Sequence, residues 1–236
     1  MNDAIRRVRA ADWTEITNTL HDTGIARLPS ILDTSACTDL VRMFEDPQRF
    51  RTRIDMQRYN FGKGVYQYFA YPLPQLIQDL REALYHKLAP VARQWSMLME
   101  KAVDYPDTHA EYIDQCHTQG QQRPTPLILR YQAGDYNCLH QDLYGDEVFP
   151  LQAVFMLSDP NTDFTGGELV LTEQRPRMQS RAHVMHLQQG DAAIFAVQSR
   201  PQKGTRGYYR TTMRHGVSTI HSGTRHTLGI IMHDAT

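Results

Sequence analysis

His215-Gly-Val-Ser-Thr-Ile-His-Ser-Gly-Thr-Arg225 places an imidazole ten residues before a guanidinium, across a Ser222-Gly223 pair of the kind that reverses a chain. Some seventy residues upstream stands Leu139-His140-Gln141-Asp142. His140 and Asp142 are two apart, so on a strand their side chains point to the same face and can grip one ion together. With His215 they make two imidazoles and one carboxylate. That set occupies one triangular face of an octahedral Fe(II) and leaves the opposite face open for a co-substrate and oxygen. A lone His-X-Asp carries little weight in a chain with 11 histidines; its meaning comes from the surrounding pattern.

Outward from these motifs, the chain beyond Gly120 consists of short apolar runs broken by turn residues. Leu127–Leu129, Leu151–Leu157, Glu168–Thr172, Ala182–Leu187, Ala192–Val197, His215–Ile220 and His226–Met232 are predicted strands. Seven strands at this density imply a sandwich or barrel, with Gly166-Gly167 and Gln189-Gly190-Asp191 as tight connections. The first part differs. Asp12–Thr23 reads as a helix capped by Asp12 and ended by Gly24, and Asp33–Phe44 as a second. From Gln75, Leu76, Ile77, Leu80, Leu84 and Leu88 repeat at helical spacing, and Pro90 is expected to kink or divide that segment. At 236 residues one domain spanning 1–236 is expected, with a helical N-terminal part over 1–120 and a β core over 121–236.

Net charge is −1, so there is no global electrostatic case for nucleic acid or anionic membranes. Met1-Asn-Asp-Ala-Ile-Arg-Arg-Val-Arg-Ala10 lacks an apolar segment of the kind that signals export, and no apolar run approaches membrane-spanning length. Cys37, Cys116 and Cys138 are scattered, without a C-x-x-C, which fits a reducing compartment; the cytoplasm is the expected location.

His215 and His221 compete as ligands. On one strand they would lie roughly 20 Å apart at ~3.3 Å per residue, so one ion cannot take both. His215 is preferred because it holds the ten-residue relation to Arg225. His183, His186, His226 and His233 have no ligand-like spacing to an acid and are assigned to structure. Cys138 would share the face of His140, with core packing as its ordinary role. Between Arg49 and Phe69, Arg49, Arg51, Arg53, Arg58 and Lys63 alternate with aromatic rings. Such a segment could stack bases and neutralise phosphates. A substrate lid near 49–71, mobile at Gly62 and Gly64, or a solvated face is favoured.

Tyr131-Gln-Ala-Gly-Asp-Tyr136, the His140-X-Asp142 pair, Gly166-Gly-Glu-Leu169, Gln189-Gly-Asp191, His215-X-Val217 and Gly223-X-Arg225 follow one another in an order that resembles the non-haem Fe(II) and 2-oxoglutarate-dependent oxygenases, in particular the prolyl-4-hydroxylase-like branch. The resemblance covers about Leu127 to Asp234. It implies a double-stranded β-helix core of the jelly-roll, cupin-like type in a mainly β chain with N-terminal helices. It also implies Fe(II) on His140, Asp142 and His215, with 2-oxoglutarate and O2 as co-substrates and Arg225 on the distal carboxylate of 2-oxoglutarate. Tyr131 resembles the family tyrosine that lines the co-substrate pocket; a buried core ring is the plainer role. The implied reaction hydroxylates a substrate, or demethylates it, while 2-oxoglutarate becomes succinate and CO2. A peptide prolyl residue, an amino acid, a small metabolite and a nucleic-acid base are all open as substrate. Two rivals stand beside this reading. A non-catalytic β-barrel that binds metal or a small molecule would not need Arg225. A nucleic-acid base demethylase of the same fold fits the basic aromatic segment, but Arg225-His-Thr-Leu-Gly-Ile lacks the second arginine that such demethylases carry after the first.

Overall fold

Local capping chemistry decides where the helices begin. In the computed structural model, which describes residues 2–101 and 103–236, Asn2 accepts from Ala4 N–H to start α1 (Asp3–Ala10). Asp12 accepts from Thr14 and Glu15 N–H to start α2 (Trp13–Thr23), which ends at Gly24. Asp33 accepts from Ala36 N–H to start α3 (Thr34–Met43). A capping box between Thr108 and Glu111 opens α5 (His109–Thr118). Between them α4 (Gln75–Leu98) runs unbroken through Pro90. The sequence predicts a kink or break there. The helix persists because its apolar side is buried on both sides of the proline, from Ile77, Leu80 and Leu84 to Val91 and Trp95. Burial of that size outweighs the ~3 kcal/mol and the hydrogen bond that an internal proline costs.

The strands are β1 (Ile25–Leu28), β2 (Phe50–Asp55), β3 (Gly62–Lys63), β4 (Val65–Phe69), β5 (Leu127–Gln132), β6 (Tyr136–His140) and β7 (Leu151–Met156). They continue with β8 (Phe164–Gly166), β9 (Leu169–Gln174), β10 (Arg181–Met185), β11 (Ala192–Ala196), β12 (Ser199–Gly204), β13 (Gly207–Val217) and β14 (Ile220–Ile231). The larger sheet has the order β1-β11-β7-β14-β5-β4-β2, with β8 on β14; the smaller has β10-β9-β13-β6-β3, with β12 on β13. All the pairings are antiparallel. One hydrophobic core takes Phe155 and Phe195 from the larger sheet, Leu171 and Met213 from the smaller, and Leu84 and Trp95 from α4. The chain is therefore mainly β, a jelly-roll with N-terminal helices.

Arg81, fully buried on α4, fastens the helical layer to the end of β14. It donates to the carbonyls of Ile231 and Met232 and to Asp234 at 2.8 Å. Tyr71 and His117 complete the cluster around Asp234. Among the described residues no helix is long and apolar enough to cross a membrane. The three cysteines are free, Cys37 and Cys116 buried and Cys138 exposed.

The predicted strand His215–Ile220 is divided. The chain passes from the smaller sheet to the larger at Ser218-Thr219, between β13 and β14, without reversing, because it stays paired with the β8–β9 stretch throughout; the Ser222-Gly223 pair lies inside β14, paired with Thr165 and Phe164 of β8. Gly223 has φ +77°, and a Cβ there would lie 1.9 Å from the Asp163 carbonyl oxygen. Close approach of two strands, not a chain reversal, is what calls for glycine at this position. His221 consequently sits on a different strand from His215 and is exposed.

His226 and His233, assigned to structure from the sequence, and His109, which the sequence did not single out, are buried and neutral. Burial pushes His109 down to about 3, and His226 and His233 to about 4. Unfolded, each titrates near ~6.5. As pH falls from about 6.5 toward 4 the unfolded chain takes up protons that the fold refuses, so stability declines across that window, by at most ~1.4 kcal/mol per histidine per pH unit. The urea midpoint is expected to fall steadily between pH 6.5 and 4.5; a flat profile contradicts neutral burial.

Candidate metal and co-substrate site

The register of β6 against β13 sets His140 directly opposite His215. Cross-strand neighbours in an antiparallel pair have Cβ atoms about 5 Å apart, and the two imidazole centroids lie 4.2 Å from each other. β6 ends at His140, so Asp142 reaches the same point from just beyond the strand and not from a shared strand face. Its Oδ1 is 3.5 Å from His140 Nε2 and its Oδ2 3.2 Å from His215 Nε2. One donor atom from each of the three lies within 4.8 Å of the others, and this is the grouping with metal-ligand spacing among the described residues.

The donor set fits a divalent iron. His140 Nδ1 lies 2.8 Å from the Cys138 carbonyl oxygen, which holds that nitrogen protonated and leaves the Nε2 lone pair turned toward Asp142 and His215. Burial pushes the Asp142 carboxyl up, but the two imidazoles, His215 foremost, more than offset this and hold it well below the usual carboxylate range. The carboxylate is thus charged. Burial moves His215 down and Asp142 only partly restores it; for His140 the opposing pull of Asp142 wins and the group moves up. A metal ion held here would need the carboxylate charged and the imidazole Nε2 atoms unprotonated, so it would compete with protons for this trio.

Three side chains that sequence patterns did not single out complete the surroundings. Tyr144 donates to Asp142 Oδ1 at 2.6 Å, and Gln152 Nε2 donates to Oδ2 at 2.8 Å. Both carboxylate oxygens are therefore oriented. Gln152 is the one polar residue in the buried strand Leu151–Met156, and that anomaly was the available signal. Phe195 packs against the His215 ring at 4.7 Å. Cys138 is exposed and contributes its carbonyl, not its thiol.

Arg225 comes from the other sheet, where it stands directly opposite Tyr131 across β14 and β5. It is 1 % exposed, and its Nε and Nη1 are buried without a hydrogen-bond partner. The rings of Tyr131 and Phe164 flank it at 5.7 and 5.9 Å. Burial lowers this guanidinium to about 10, so it stays a cation at neutral pH. Buried donors without acceptors are costly, and a carboxylate entering the cavity satisfies them. Tyr131, fully buried, accepts a 3.2 Å hydrogen bond from Asn137. A cavity of about 290 Å³ joins His140, Asp142 and His215 to Arg225, Tyr131 and Asn137. Its rim carries Phe61, Tyr66, Tyr68, Leu143 and Tyr144.

The basic aromatic segment builds part of that rim. β2 and β4 form one edge of the larger sheet, while β3 pairs with β6 in the smaller. At Gly64, φ +141°, a Cβ would lie 2.7 Å from the Tyr131 ring. This glycine makes room for a tightly packed ring.

A family model described as "Oxygenase, catalysing oxidative methylation of damaged DNA" matches residues 64–235. An uncharacterized protein of Mycobacterium tuberculosis strain H37Rv, and its counterpart in strain CDC 1551 / Oshkosh, are each 49% identical over 167 residues, 71% of this chain and 72% of theirs. Among solved structures, a Pseudomonas putida prolyl-4-hydroxylase aligns at TM-score 0.55 and 14% identity, covering 92% of this chain and 96% of its own. A 2OG-Fe(II) oxygenase-family oxidoreductase of Burkholderia pseudomallei aligns at TM-score 0.54 and 14% identity, covering 96% and 93%. At such identities the likeness is one of fold.

Proposed function

The chain belongs to the Oxygenase-NA family, and from that premise we propose that it couples 2-oxoglutarate decarboxylation to oxidation of a C–H bond on a substrate entering past the aromatic rim. It is an oxygenase with the fold of the 2OG-Fe(II) enzymes, and Fe(II), 2-oxoglutarate and O2 are the cofactor and co-substrates that family and fold imply. The observation that carries the reading is a pair of cross-strand couples, His140–His215 on one sheet and Tyr131–Arg225 on the other, opening on one cavity. Iron bound there would let O2 act as the oxidant, with one oxygen atom leaving in succinate as 2-oxoglutarate is oxidised and loses CO2, and the other left for the substrate C–H bond.

The residues then have distinct tasks. His140, His215 and Asp142 hold the metal, Asp142 with both oxygens oriented by Tyr144 and Gln152. Arg225 takes the distal carboxylate of 2-oxoglutarate, a charge-assisted contact in a site that excludes water. Tyr131 braces the same pocket, positioned by Asn137. Phe195 closes off the metal side beneath His215.

For the substrate, the family description and the ring-lined rim favour a methylated nucleic-acid base, oxidatively demethylated, over a prolyl peptide. Incubation with Fe(II), 2-oxoglutarate and a panel of methylated single-stranded oligonucleotides and proline-containing peptides tests this. Methyl-dependent succinate release with an oligonucleotide product lighter by ~14 Da supports demethylation; a peptide heavier by ~16 Da moves the assignment to peptide hydroxylation.

A further inference from the structure

Beside the metal cavity lies a second, more open one of about 650 Å³, lined by Arg51, Thr52, Ile54 and Arg123 and sharing Tyr66, Tyr68 and Tyr144 with the first. Three tyrosines thus form a common wall between the metal pocket and a space holding two guanidinium groups. Arg51 is held in place: its Nε donates to the Pro124 carbonyl at 2.9 Å and its guanidinium lies 4.6 Å over the Tyr68 ring. Arg123 is tethered through its backbone, which pairs in both directions with Ala235. Other cations of the same rim have carboxylates, Arg49 with Asp46, Arg58 with Asp55 and Lys63 with Asp135. Among the described residues neither Arg51 nor Arg123 forms a salt bridge. Burial lowers the proton affinity of Arg51, Tyr68 partly restores it, and Arg123 nearby lowers it again. Two guanidinium groups on one cavity, neither in ion-pair contact and with only the more distant pull of Asp234, which Arg81 already engages, are what an incoming anion relieves.

The chemistry of the wall narrows which anion. Tyr59 and Phe61 add an exposed pair of stacked rings, 5.6 Å apart and 19° from parallel, and Phe61 lines the metal cavity. Planar rings next to arginines suit a ligand that is an aromatic base joined to a phosphate. We propose that Arg51 and Arg123 form a phosphate subsite that grips a nucleotide while its base passes Tyr66, Tyr68 and Tyr144 toward the metal. This rests on the base-oxidation reading above and assigns that substrate a second anchor, separate from the Arg225 clamp. The near-neutral net charge of the chain is no obstacle, because the field that matters is local.

Binding of a fluorescent pentathymidylate to the full-length protein, followed by anisotropy over a salt series, tests the subsite. Arg51→Gln/Arg123→Gln is expected to weaken binding at least ~10-fold and to reduce the salt slope by about 1, as loss of charged phosphate contacts does. Arg53→Gln, a neighbouring cation that instead lies over the Phe44 ring, is expected to change affinity less than ~2-fold. Should the double variant unfold, exposed Arg123→Gln alone must still show a loss. Competition by thymidine monophosphate as strong as that of the pentamer identifies a free nucleotide as the source of the phosphate; competition by the pentamer only identifies a strand. Unchanged affinity in the variants, failure of the wild-type protein to bind, or equal binding of an acidic peptide overturns the subsite. Absence of methyl-dependent succinate release, with arginine-dependent binding intact, instead sinks the demethylase reading alone.

Discussion

Asp142→Ala is expected to abolish Fe(II)-dependent succinate release, by more than the 10- to 100-fold that loss of an outer-shell partner of a metal ligand costs. The carboxylate supplies the anionic member of the trio and the one group that faces both imidazoles, at 3.5 and 3.2 Å. Without it, two neutral nitrogens remain, and the donors of Tyr144 and Gln152 lose their acceptor. His140→Ala and His215→Ala should behave alike, since each removes one of three ligands. Metal content after reconstitution and desalting separates this from general damage. It is expected to drop with activity, while the unfolding midpoint shows whether the fold persists. Turnover at the wild-type level in either the aspartate or a histidine variant would remove the ligand assignment.

Arg225→Ala is expected to raise the 2-oxoglutarate KM by about 10- to 150-fold, the equivalent of the ~1.5–3 kcal/mol of a hydrogen bond to a charged group. The side chain touches no donor atom of the metal trio that the hydrogen-bond or ion-pair geometry records; its neighbours are Tyr131, Phe164 and the open cavity. Its loss therefore acts on the co-substrate, and metal content should be retained. Arg225→Lys should fall between wild type and alanine, because an ammonium keeps the charge but not the two parallel donors. An unchanged KM in Arg225→Ala would mean that another cation holds the keto acid.

The separate pieces of this site were legible before the fold was. His140, Asp142 and His215 are residue types with few other uses in combination, and Arg225 keeps a fixed spacing from His215 along the chain. Helix starts were legible too, because Asp12 and Asp33 act through hydrogen bonds to N–H groups two or three residues away. Several strands fell outside the pattern for a physical reason. β2, β3 and β12 are rich in charged or turn-forming residues, and their place in a sheet comes from a partner strand, not from their own alternation. Gln152 escaped notice because it gains its role by meeting a carboxylate that folding brings near, and Tyr144, although two residues from Asp142, because the direction of its hydroxyl is set by the folded loop and not by residue type.

The sequence by itself offered the chemistry, which donors and which cation, and a β-rich last half; it did not reveal that the first part, read as helical, also gives β1, β2 and β4 to the larger sheet. The properties it offered depend on residue type and on spacing over a few positions, which short-range interactions settle. Tertiary structure alone decided that β6 meets β13 with His140 opposite His215, that the chain crosses between the sheets at Ser218-Thr219 and does not reverse at Ser222-Gly223, and that Arg51 and Arg123 share a cavity across more than seventy residues. Register and convergence of that kind arise from the whole set of side chains buried between two sheets, because a one-residue slip would turn every one of them to the wrong face.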